Sequence, residues 1–212
     1  MSDNLLDLLV PPAERRVYGV VSGVVTNNQD PEGLGRVKVS FPWLSEQDES
    51  WWARLATPMA GKERGLYLLP EVDDEVLVAF EQGDMRFPYI LGGLWNEPQP
   101  PPEKNDDGKN NIRSISSRSG MLIRLDDSDG HEQIEISDKA KKNRIVIDVA
   151  NQKILISADS DIEIVASNGK LKLSGNGVEI SSQAAVKIEA GAGMELKASG
   201  SMKLKGATVD IN

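Results

Sequence analysis

Three aspartates and the chain's single histidine crowd one short stretch, "LDDSDGHE", as Asp126, Asp127, Asp129 and His131. Oxygen ligands this close together are what a calcium ion takes. The stretch lacks the spaced glutamate and flanking helices of an EF-hand, so it reads as a polar turn. One histidine beside acids makes no acid–base pair. Zero cysteines leave no thiolate nucleophile, no thiolate metal site and no disulfide framework. The chain therefore reads as a non-enzyme with no metal and no cofactor. Its net charge of -9 argues against broad contact with nucleic-acid phosphates, so no nucleic-acid partner is expected.

The elements around that turn are of two kinds. All ten aromatic residues (four Trp, three Tyr, three Phe) lie before position 96, and all eleven prolines before position 103. "NEPQPPPEKNDDGKN" then reads as a partly stiff polar linker between two architectures. Residues 151–212 carry seven lysines against seven acids, so the acid excess belongs to the first 150 residues. The opening "MSDNLLDLLVPPAERR" has acids where a signal peptide needs basic residues, and no run approaches the ~20 apolar residues of a membrane span. Synthesis in the cytoplasm without a signal peptide is the expectation, and the absent cysteines fit that compartment.

An N-terminal segment over 1–16 precedes a block, 17–97, of short β-rich runs. "RVYGVVSGVVT" and "GRVKVSFPW" flank the turn-forming "NNQDPEGLG", while "WWARLATPMA" and "DEVLVAFEQGD" alternate apolar with polar positions. Five or six such strands fit a small closed barrel of the OB-fold kind. Trp43, Trp51, Trp52 and Trp95 are expected in core and rim packing. A stacking platform for single-stranded nucleic acid needs a basic groove, and this block is acidic. Residues 98–112 form the linker and 113–153 a set of transition strands.

From 154 to 212 the chain keeps a beat of about eight residues. Aliphatic–x–aliphatic triplets begin at Ile154, Ile162, Leu171, Val178, Val186, Met194, Met202 and Val209. Repetition of this kind fixes an architecture, and the period of two within each triplet is that of a strand. The outer residues, Ile154 and Ile156, Ile162 and Ile164, Leu171 and Leu173, then Val178 and Ile180, share one face. Val186 and Ile188, Met194 and Leu196, and Met202 and Leu204 continue it. Burying two such side chains stabilises an octad by roughly 1.5–3 kcal/mol each. Ordering eight residues costs on the order of 1–2 kcal/mol apiece. Neighbouring strands must supply the difference, and one octad is too short to circle a wide core. Three chains wound about one axis, each octad forming one side of a triangular prism, meet both needs. The expectation is an all-β homotrimer, an OB-fold barrel followed by an intertwined, triple-stranded β-helix. The middle residues after Leu155 read Glu163, Lys172, Glu179, Lys187, Glu195, Lys203, Asp210, alternating in sign, which pairs opposite charges on stacked strands. A single-chain coil with three octads per turn also pairs them.

"GLGRVKVSFPWL", "WWARLATPMAGKERGLYLLPEVDDEVLVAFEQGD" and "PYILGGLWN" resemble the barrel domain of phage baseplate assembly protein V and of VgrG spikes. "SRSGMLIRLDDSDGHEQIEISD" and "NRIVIDVANQKILIS" resemble the segment that leads such proteins into their trimeric β-helix, so the likeness covers roughly 17–212. It implies a central spike at the tip of a contractile tail or injection machine, in transient contact with a target membrane. Only about sixteen residues precede the barrel, so a separate baseplate hub is the expected partner, with Leu5, Leu6, Leu8 and Leu9 as its docking segment. The short gap after the barrel leaves no room for the lysozyme domain of some phage spikes, and one histidine cannot build the His-x-His tip site of others. Val209, Ile211 and Asn212 are expected to form a blunt apolar end that takes a PAAR-repeat tip protein. The rival reading is a trimeric β-fibre adhesin or carbohydrate-binding module, which ordinarily carries a folded head that this chain lacks.

Overall fold

The computed structural model describes residues 16–210. Among them every regular element is a strand except a single 3-10 turn at Glu81–Gly83, so the class is all-β, as the alternation predicts. Among the described residues no helix is long and apolar enough to cross a membrane. Leu5, Leu6, Leu8, Leu9, Ile211 and Asn212 lie outside the described residues.

The first eight strands are β1 (Val20–Asn27), β2 (Lys38–Phe41), β3 (Ser45–Glu49), β4 (Arg54–Leu55), β5 (Ala60–Gly61), β6 (Arg64–Gly65), β7 (Glu75–Phe80) and β8 (Pro88–Gly93). Six of them form one sheet in the order β3-β2-β1-β7-β8-β4, while β5 and β6 make a separate hairpin. Val37 donates to the Ala53 carbonyl at 3.0 Å and Ala53 returns the bond at 2.7 Å. That bridge ties the β4 side back to the start of β2 and closes the sheet into a barrel. Alternation fills the barrel, with Val76, Val78 and Phe80 of β7 meeting Val37, Val39 and Phe41, Val25 and Ile90. At Gly23 a Cβ would sit 3.0 Å from the Ser40 carbonyl and 3.2 Å from the Phe41 ring, so glycine lets β1 lie close over β2. The tryptophans correct one expectation, because none belongs to the buried core. Trp43, Trp51 and Trp95 are half or more exposed, and Trp52 lies beneath Arg36 and Lys38. Aliphatic residues and two phenylalanines fill the narrow interior and leave the bulky indoles to the rim.

Asp30 organises the turn between β1 and β2. Its carboxylate accepts the backbone N–H groups of Glu32, Leu34 and Arg36, and takes the Arg36 guanidinium through Nε at 2.9 Å and Nη2 at 2.7 Å. The Arg36 side chain, then these N–H groups, hold the carboxyl well below the usual carboxylate range. A depressed folded pKa gives stability that is present above the unfolded value, about 4, and lost as pH falls toward the folded one. Asp30→Asn should therefore lower the melting temperature most at pH 7. The deficit should shrink in melting curves taken below about pH 4.

Beyond the linker, β9 (Ile112–Ser116), β10 (Leu122–Asp126), β11 (Gln133–Ser137), β12 (Arg144–Asp148) and β13 (Lys153–Ser157) form an antiparallel sheet in chain order. Among the described residues, 160–210 form a unit separate from 16–159. Between 160 and 210 no strand pairing occurs within the chain and every residue is exposed.

Candidate assembly surface

Each strand of the five-stranded sheet alternates, as in Arg144-Ile145-Val146-Ile147-Asp148, so most of the sheet's apolar residues gather on one face. The register aligns them into rows. Ile115, Ile123, Ile136, Ile145 and Ile156 lie directly across from one another in order, and Arg113, Leu125, Ile134, Ile147 and Ile154 do the same. These aliphatic residues stay between 38% and 69% exposed, even on the central strands. The opposite face carries Ser114, Arg124, Glu135, Val146 and Leu155 in one row, and it is the better covered of the two. Glu135 is 4% exposed and pairs with Lys141 at 3.3 Å. Arg124 reaches the linker's Glu103 at 3.3 Å. The chain's own linker and long side chains thus cover the polar face, while the aliphatic face has no cover in one chain. An antiparallel sheet ordinarily buries the apolar side, so this inversion marks a contact surface.

The octad stretch has the same character. Bends fall at 167–169, 175–176, 183–184, 191–192, 199–200 and 207, in the gaps between triplets, with no regular element between them. Serine, glycine, asparagine and alanine at these corners suit tight turning. Ile162, Ile164, Leu171, Leu173, Val178, Ile180, Val186, Ile188, Met194, Leu196, Met202, Leu204 and Val209 are all more than half exposed. Backbone with no ladder and aliphatic side chains this exposed leave two kinds of group open to partners, the peptide units and the apolar surface.

The structure separates the first predicted triplet from the rest. Ile154 and Ile156 belong to β13 and share rows with Ile147 and Ile145 of β12. The sequence held a signal for this, since the middle residue of that triplet is Leu155 where later triplets carry a charge. Leu155 lies across from Val146 on the covered face.

The acidic stretch that opened the sequence reading is the turn between β10 and β11. Asp126 accepts the Ser128 N–H at 2.9 Å and lies 3.6 Å from Arg124, and bonding from Ser128 holds its carboxyl below the ordinary range. Asp127 takes Arg113 at 2.7 Å. Among the described residues no three His, Asp or Glu side chains gather where an ion would sit.

Known proteins match the same parts of the chain. Residues 21–95 match the Type VI secretion system/phage-baseplate injector OB domain. The chain is 32% identical over 123 residues to the Type VI secretion system spike protein VgrG1a of Pseudomonas aeruginosa, which covers 53% of this chain and 19% of that protein. It is 35% identical over 121 residues to VgrG1b of the same species, covering 52% and 16%. To VgrG3 of Vibrio cholerae it is 28% identical over 145 residues, covering 65% and 14%. The chain thus spans a fifth or less of the length of these curated relatives, all named as spike proteins. Residues 21–95 thus match the injector OB domain of Type VI secretion systems and phage baseplates, and the chain is similar to VgrG-type spike proteins.

Proposed function

We propose that this protein is the central spike of a contractile injection apparatus. It works as a homotrimer whose barrels form a collar and whose octads wind into a stiff rod. The observation that carries the reading is the uncovered aliphatic surface, the sheet rows and the octad triplets together, which a single chain leaves in water. Two further copies cover it. They also give the extended octads the ladder partners they lack, and a rod tied together by ladders resists bending. A baseplate hub binds on the barrel side, with Leu5, Leu6, Leu8 and Leu9 as the docking segment. Val209, Ile211 and Asn212 seat a PAAR-repeat tip protein that meets the target membrane transiently. The protein is made in the cytoplasm and joins the particle there. Its work is mechanical: a narrow, rigid body concentrates the force of sheath contraction, and no residue performs chemistry.

Light scattering tests the assembly directly. The trimer gives about 69 kDa, three times 23.1 kDa, and a mass near 23.1 kDa would remove the physical basis of the spike reading.

A further inference from the structure

The aliphatic triplets recur every eight residues with interchangeable Ile, Leu, Val and Met, so they fit one another equally well after a slip of one octad. A trimer held by these contacts alone has no unique register. Something else in the octads must choose it.

We infer that the alternating charges on the outward face of the octads set the register in which three copies of this chain assemble. The inference rests on the trimer reading above. If each chain turns one corner per octad, the strand above any octad on a prism face is the next octad of a neighbouring copy. Glu163 then lies beside Lys172, Lys172 beside Glu179, and so on through Lys187, Glu195, Lys203 and Asp210. A slip of one chain by one octad sets its strands beside octads of the same sign, so two of every three contacts along the ladder repel. Flanking positions on the same face repeat the opposition, with Asp161 before Ile162 against Lys170 before Leu171, and Glu189 against Lys197. Lys197 against Lys205 is the like-signed exception in these columns. All of these side chains are exposed in the single chain. Lys187 finds Glu189 within its own octad at 2.6 Å, a contact that competes with the ladder at that level. Like charges that disfavour wrong pairings, without adding much to the right one, are a device for specificity.

The experiment uses the full chain and a second full chain with all seven middle charges inverted, as E163K, K172E, E179K, K187E, E195K, K203E and D210K. Inversion keeps every opposition within a homotrimer, so the inverted chain should trimerise alone. The two chains, one carrying a mass tag, are unfolded together, refolded in low salt and read by native mass spectrometry. Random mixing of equal amounts makes about three quarters of the trimers mixed, and the sign ladder should cut that below about a tenth. In about 1 M salt, where the screening length falls to about 3 Å, mixing should return toward random. Random mixing at low salt, exclusion unchanged at high salt, or an inverted chain that stays monomeric would each overturn the inference. A monomeric parent chain would instead sink the trimer reading itself.

Discussion

An aspartate in place of Ile180 should leave a species of 23.1 kDa where the proposed trimer of the parent chain would give about 69 kDa. Ile180 closes the Val178-Glu179-Ile180 triplet midway along the octads, and 68% of it is exposed in one chain. In the prism three copies of this position converge on the axis. Three carboxylates would then sit in an aliphatic layer with no partner. An unpaired buried charge costs several kcal/mol, so three cost on the order of 10 kcal/mol, comparable to the whole stability of a domain. In a monomer the same change exchanges one exposed side chain for another and alters stability by about 0.5 kcal/mol or less. The two readings therefore differ greatly in what they predict. Ile180→Val is the control, expected to keep the trimer, because it removes one methylene per copy at about 0.5–1.5 kcal/mol. A full-size Ile180→Asp species would mean that the octad side chains face solvent in the assembly.

The corners between octads were legible in the sequence because their information is local: the small residues between triplets fall where the structure bends. The barrel strands were legible for the same reason, as in the Val76, Val78, Phe80 alternation. The closure of the barrel was not. It depends on Val37 meeting Ala53, residues whose own types say nothing about each other. The tryptophans misled because size and apolarity favour burial, while the narrow barrel had room only for smaller side chains. The five-stranded sheet was legible as strands but not as a surface. Alternation in "RIVID" or "KILIS" says that two residues share a face, and it is silent on whether anything covers that face. Only the register, with Glu103 held over the polar side by Arg124, shows which face is left open.

Ile136→Asp should lower the melting temperature of the trimer by about 10 °C or more while leaving the barrel intact. Ile136 sits on the central strand β11 between Ile123 and Ile145, and 48% of it is exposed in the single chain. If water bathes this face, the substitution sacrifices β-propensity alone, at most about 1 kcal/mol. If two other copies cover the face, each carboxylate loses its hydration against isoleucines and the loss is several kcal/mol per copy. At about 2–4 °C per kcal/mol for a chain of this size, the two cases are well resolved. Hydrogen exchange locates the effect. Amides of β10, β11 and β12 should lose protection, while those of β1 and β7, which close around Val25, Val76 and Val78, should keep theirs. An unchanged melting temperature would confine the assembly surface to the octads. A drop would extend it into the sheet, because only a covered face makes the carboxylate costly there.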